Sequence, residues 1–189
     1  MPYVYAVTEA VSAETAPHVV RWGELAAIVG AEPLPADPDE RTLWHHEAVV
    51  EAAMERGPVL PMRFGSVVDD VTGFLAARHE ELSRSLERVR GAVELSVRIV
   101  EDAAAGAPAS GTEYLMRRAA ATSLAEQVYA PLAELSRASA RRAQAFAFLV
   151  ETRAAPMFHE RVASLRERLG VELVCTGPWP PYSFVEGSS

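Results

Sequence analysis

Along this chain the spacing of apolar residues switches between two and three-to-four, and each switch marks an element. Tyr3-Val4-Tyr5-Ala6-Val7 opens it as a short strand rich in β-formers. Residues 8–17 show no period and read as a loop. Two strand-like runs follow, residues 18–22 and 25–29, with only Gly23-Glu24 between them. That is the length of a two-residue hairpin with glycine in first place. Glu32-Pro33-Leu34-Pro35-Ala36 reads as extended linker. Asp37 or Asp39 then caps a helix that ends before Gly57-Pro58, with Leu43, Val50, Ala53 and Met54 at helical spacing. Residues 59–65 form a strand with Pro61 inside it, which predicts an edge position or a bulge. Asp69-Asp70 begins a second helix whose apolar stripe is Phe74, Leu75, Leu82, Leu86 and Val89. After Gly91, Val93, Leu95, Val97 and Ile99 alternate with Glu94, Ser96 and Arg98, the pattern of a half-buried strand.

Residues 101–110 are rich in Ala, Gly and Pro and read as a domain boundary. A long helix begins beyond them, capped by Ser110 or Thr112, with Leu115, Ala119, Leu124, Val128, Leu132 and Leu135 on its buried side. Pro131 predicts a kink in it or a split into two helices. Residues 145–150 read as a strand and residues 156–169 as a helix with proline in its first turn and Gly170 at its end. A last strand spans residues 171–175.

These elements predict an α+β fold in two domains. Residues 1–102 read as a modified ferredoxin-like α/β sandwich, its first helix reduced to a loop and its helices on one face of the sheet. Residues 111–189 read as a C-terminal α+β domain, a helical region with the long helix plus a small strand-helix-strand unit. Two strands make a poor independent sheet. They are therefore expected to pair with a strand of the first domain or with the segment that follows them.

That segment is Thr176-Gly177-Pro178-Trp179-Pro180-Pro181-Tyr182-Ser183-Phe184-Val185. Its prolines fix φ and remove amide donors, so it is neither a helix nor a central strand. Trp179, Tyr182 and Phe184 bring large apolar rings onto this stiff backbone. The segment is expected to act as an aromatic strap that folds inward as a clamp between the two halves, its rings serving as packing anchors. The other reading is a tail ligand for a proline-reading domain, although tyrosine directly after the proline pair is the wrong spacing for the common Pro-Pro-x-Tyr ligand.

Composition narrows the function classes. About half of the residues are apolar (49%), enough for a core. The net charge is −8, and all 18 basic residues are arginine. An acidic chain without a basic block argues against nucleic acid and against an anionic membrane surface. No apolar run approaches the ~20 residues of a membrane span. The first residues carry no basic region and no long apolar run, so no signal peptide is expected. A single cysteine, Cys175, makes no internal disulfide, which suits a cytoplasmic location, and it reads as a small buried hydrophobe.

The chemistry-bearing motifs are sparse. His45-His46-Glu47 lacks the second histidine four residues on that a zincin needs, since position 50 is valine. It reads as a solvated or partner-facing helix surface. Gly65-Ser66-Val67 lacks the second glycine of a nucleophile elbow, and no phosphate-cradling glycine loop is present. No catalytic residue, cofactor or metal is assigned. Arg63 and Phe64 stand out at the end of the proline-bearing strand, followed by Gly65. Glu94 lies on the polar face of another strand, and an Arg63–Glu94 pair is expected as a structural contact, against the alternative of two unrelated surface charges.

Read together, these stretches resemble the gas vesicle protein F/L family. The resemblance is carried by Tyr3-Val4-Tyr5, by His46 with Val50 and Glu51, and by Val59-Leu60-Pro61-Met62-Arg63-Phe64-Gly65. It continues through Gly91 with Glu94, Gly111 with Tyr114-Leu115, Phe148-Leu149-Val150 and the whole of residues 176–185. It implies a two-domain α+β protein with a ferredoxin-like N-terminal half and no known catalysis. It also implies a cytoplasmic or vesicle-associated accessory protein that takes part in gas vesicle assembly. Its expected partners are the small apolar shell protein and other vesicle accessory proteins, met as a chaperone or as a minor structural component. Candidate partner-binding surfaces are the strand at residues 59–64 and the long helix after Thr112. The rival class is an enzyme or small-ligand binder on the same scaffold, which needs Arg63, His45, His46 and Glu94 around one cleft. Arg63, Phe64, Glu94, Trp179, Tyr182 and Phe184 are the candidate structural or partner-binding residues.

Overall fold

The protein is described from a computed structural model, for residues 2–13, 18–31, 39–100, 110–143 and 145–185. The linker expected at residues 32–36 and residues 101–109 of the expected boundary lie outside these. Two antiparallel sheets and five α-helices make up the described residues. The chain forms two compact units, residues 1–93 with 179–189, and residues 94–178.

In the first unit the strands are β1 (Val4–Glu9), β2 (Val19–Trp22), β3 (Leu25–Val29) and β4 (Val59–Pro61). Their order in the sheet is β2-β3-β1-β4. β2 and β3 form the hairpin read from Gly23-Glu24, with Gly23 at φ +57° where the turn demands it. β4 pairs with β1 through Ala6–Pro61, Val7–Leu60 and Thr8–Val59 and lies at the sheet edge, where Pro61 sacrifices no central ladder bond.

Helix α1 (Glu40–Met54) starts at Asp39, whose carboxylate accepts from the Thr42 amide at 2.8 Å. It buries Val50 and Ala53 against Ala6, Ile28 and Val59. The register puts Val7, Ala27 and Leu60 on the opposite face, and they are buried too. Helices α2 (Val71–Ala77) and α3 (His79–Val89) pack against strands of the same sheet, α2 on β2 and β3, α3 on β4 and β1. Both faces are therefore covered, and not one as the pattern predicted; the unbroken buried run Leu25–Ile28 is its signature.

The single helix expected after Asp70 is two. Arg78 leaves helical geometry at φ −110°, ψ 15°, and the break lets the two pieces meet different strands.

The second unit holds β5 (Ala92–Val100, from Glu94 on), α4 (Gly111–Ala133), β6 (Ala138–Arg141), β7 (Phe146–Glu151), α5 (Ala155–Leu169) and β8 (Glu172–Trp179, up to Pro178). The sheet order is β6-β7-β5-β8. It corrects the small strand-helix-strand unit read from the sequence. β6 has the composition Ala-Ser-Ala-Arg, with neither β-branched nor large apolar residues, so no pattern announces it. The core joins Leu95, Val97, Val128, Leu132, Phe148, Val150, Phe158, Val162, Leu165 and Leu173.

Ser110 caps α4 by accepting from the Glu113 amide at 3.1 Å. The helix runs through Pro131 unsplit and ends two residues later. So near the C-terminus the proline removes one hydrogen bond without dividing the element. Its buried side is shorter than the pattern predicted: Val128 and Leu132 are buried, whereas Leu115 and Ala119 are exposed, because only the C-terminal part of the helix joins the core. β8 continues as a strand through Pro178, beyond the Cys175 end expected for it. It is an edge strand, where missing amides are tolerated.

Candidate functional site

The motif stretches of the first unit converge on one buried cluster. Tyr3 precedes β1 and is 1% exposed, and His46 on α1 is 1% exposed. The Tyr3 hydroxyl lies 2.5 Å from His46 Nδ1. The Gly65 amide donates to the Tyr3 oxygen at 3.5 Å. Rings of Tyr3, Tyr5 and Phe64 surround the imidazole, their centroids 5.7, 5.5 and 5.7 Å from it.

The local chain explains why these residues meet. Past β4, the Met62 amide donates to the Tyr5 carbonyl at 2.9 Å, and the Val4 amide to the Ser66 carbonyl at 3.0 Å. Residues 62–66 therefore run beside the start of β1. Between them the chain turns, with the Ser66 amide donating to the Arg63 carbonyl at 3.0 Å and Gly65 at φ +90°. That backbone conformation is open to glycine and strained for other residues. The Leu-Pro-Met-Arg-Phe-Gly run is thus an edge strand, a ring for the cluster and the turn that aims an amide at Tyr3.

Electrostatics keep the pair neutral. Burial pushes the Tyr3 phenol up to about 12. Burial lowers the His46 imidazole below its ordinary value, with a Met62 backbone group acting the other way. A neutral tyrosine and a neutral imidazole share a hydrogen bond that is sealed from solvent. His46 thus departs from the solvated surface read for His45-His46-Glu47, whereas His45 is exposed. Burial also raises Glu47, which accepts a hydrogen bond from the Tyr182 hydroxyl at 3.2 Å.

Tyr182 packs against the cluster of Ala6, Ile28, Val50, Ala53 and Val59. Phe184 is 6% exposed, and its carbonyl accepts from the Arg88 guanidinium. Pro180 and Pro181 are buried, while Trp179 is 42% exposed. All of these belong to the first unit.

Arg63 is exposed and Phe64 half-buried, both beside β4, and Glu94 is buried in β5 of the other unit. Arg63 and Glu94 therefore stand in different units. The cleft reading of Arg63, His45, His46 and Glu94 finds two exposed residues, one sealed histidine and one residue of the other unit. Among the described residues no group of three His, Cys, Asp or Glu side chains is placed to hold a metal. No helix among them is long and apolar enough to cross a membrane. Sequence reading missed Tyr3 and His46 as partners; their spacing of 43 residues leaves no local signal.

Comparison with known proteins agrees with this picture. The family model for "Gas vesicle synthesis protein GvpL/GvpF" matches residues 2–186. Gas vesicle protein L of Streptomyces sp. (strain CB03234) is 30% identical over 247 aligned positions, covering 97% of this chain and 92% of that protein. The alignment exceeds the 189 residues here, so that relative carries segments with no counterpart in this chain. Gas vesicle protein F of the same strain is 39% identical over 83 residues, 42% of this chain and 35% of that protein. The fold matches crystal structures of GvpF from Anabaena sp. PCC7120 (TM-score 0.77, 20% identity, 100% of this chain and 97% of that one) and from Microcystis aeruginosa (0.71, 15%, 98% and 99%). The chain belongs to the GvpL/GvpF family of gas vesicle synthesis proteins.

Proposed function

We propose that this protein is a non-enzymatic accessory factor of gas vesicle assembly that binds the small hydrophobic shell protein, either as a chaperone or as a minor component of the vesicle. Family membership over nearly the whole chain carries this reading. The surface of α4 supports it. Tyr114, Leu115 and Met116 are 50, 64 and 65% exposed, so the N-terminal part of α4 presents apolar side chains around much of its circumference, which an apolar client could cover. At β4, by contrast, Val59, Leu60 and Pro61 are already buried. Other vesicle accessory proteins are further partners on this reading, and the working location is the cytoplasm and the vesicle.

Each unit reads as a ferredoxin-like fold on this proposal. In the second, the succession β5-α4-β6-β7-α5-β8 with order β6-β7-β5-β8 supports it. In the first, β1-β2-β3-α1-β4 in order β2-β3-β1-β4 supports the same plan without its first helix.

Co-expression of the shell protein with this chain tests the function. A soluble complex on a sizing column, lost in Leu115→Glu/Met116→Glu, is the expected result. Unchanged shell solubility and no complex would overturn it. Washed vesicles that retain the protein mark a wall component; vesicles that shed it mark a chaperone.

A further inference from the structure

We infer that the outward face of α1 docks a basic polypeptide segment that carries an apolar anchor residue. This surface is separate from α4 and does not depend on the shell-protein reading. The charge of the chain is divided unevenly. The first unit contains 16 carboxylates against 8 arginines, and the second contains 10 of each.

On α1 this excess is concentrated at the wrong end. Glu47, Glu51 and Glu55 follow one another at four-residue steps, so they share a face, where like charges repel. Glu47 and Glu51 lie in the C-terminal half of the helix and Glu55 is its C-cap, where the macrodipole is negative, and the last turn holds no basic residue. Arg56, just beyond, donates to the Ala52 carbonyl at 2.8 Å. Neither Glu51 nor Glu55 has an ion-pair partner among the described residues. Burial pushes Glu47 upward against the hydrogen bond from Tyr182, and the Glu51 charge adds to the rise.

Along the same face, one turn back, Trp44 is 65% exposed and Leu43 is 43% exposed. The Trp44 indole is held in place by its Nε1–H donating to Glu40 at 3.1 Å. A fixed exposed indole beside uncompensated carboxylates is complementary to a cationic segment bearing an apolar side chain.

Anisotropy of a labelled 18-residue Leu/Lys amphipathic peptide, titrated with the full chain, tests this. The Leu/Glu counterpart serves as control. The expected result is salt-sensitive binding of the basic peptide alone. It weakens by roughly tenfold in Glu51→Gln/Glu55→Gln and severalfold in Trp44→Ala. Asp69→Asn/Glu80→Gln removes two charges from exposed positions of the same unit and should change affinity by less than about twofold. The carboxamide pair should also raise the melting temperature, since it relieves repulsion in the free protein. No binding by the wild-type chain overturns the assignment. So does equal weakening by the control pair, which marks general attraction, or indifference to both α1 variants. Self-association on a sizing column that Trp44→Ala abolishes overturns it too, by identifying a second copy as the occupant.

Discussion

The Tyr3 hydroxyl and His46 Nδ1 share a hydrogen bond across 2.5 Å, inside a cage made by Tyr5 and Phe64. This bond joins the first residues of the chain to the first helix. With the Gly65 amide it also ties both to the turn after β4. The core of the first unit is thus registered by a polar link, and its energetics follow from burial.

Removing one partner should cost more than removing both. Tyr3→Phe leaves a buried imidazole nitrogen without its partner and should destabilise the protein by about 1–3 kcal/mol. Tyr3→Phe with His46→Phe should cost less than the sum of the single changes. Urea denaturation of the four proteins measures the coupling. Additive effects would contradict the bond.

Stability should fall on mild acidification. The folded state holds His46 below its ordinary value of 6.5, so the unfolded chain binds the extra proton first. This contribution is complete above about pH 6.5 and declines as pH falls, by at most ~1.4 kcal/mol per pH unit. Glu47 acts with the opposite sign. Its folded value is raised, so its contribution is present at low pH and is lost as pH rises through that value. Comparing the pH dependence of the wild type with His46→Phe isolates the histidine. Identical slopes between pH 5 and 7 would contradict the assignment.

The strap should detach by degrees. Tyr182→Phe removes the donor to half-buried Glu47 and should cost about 1–2 kcal/mol. Phe184→Ala empties a buried site and should cost about 2–4 kcal/mol. Trp179→Ala, at a 42% exposed position, should cost less than either. Hydrogen exchange over residues 179–185 should rise in the same order. An unchanged exchange pattern in Phe184→Ala would count against the anchor.

Two glycines quoted in the same family resemblance should behave differently. Gly65→Ala meets no neighbour within 4 Å but must adopt φ +90°, so backbone strain alone should cost about 1–2 kcal/mol. Gly111→Ala also finds open space, at the start of α4, and should be neutral or slightly stabilising by about 0.5 kcal/mol. Thermal melts of the two variants separate these outcomes.

Strands, helices and caps were legible from local pattern: the Gly23 hairpin and the Asp39 and Ser110 caps each report a preference acting within a few residues. β5 was legible as a strand but not its polar face, since Ala92 to Leu95 are all buried and Glu94 with them. The edge position of β4 was legible from Pro61 for the same reason, since a missing amide restricts a strand wherever it lies. β6 was not, because Ala-Ser-Ala-Arg is a strand only through its neighbour β7. The break at Arg78 likewise follows from which strands α2 and α3 must cover, and no residue there announces it. His46 shows the limit most plainly. Beside His45 and Glu47 it looks like one more polar helix residue. Its burial depends on a hydroxyl 43 positions away that satisfies one of its nitrogens, and long-range satisfaction of that kind leaves no mark on the residues nearby.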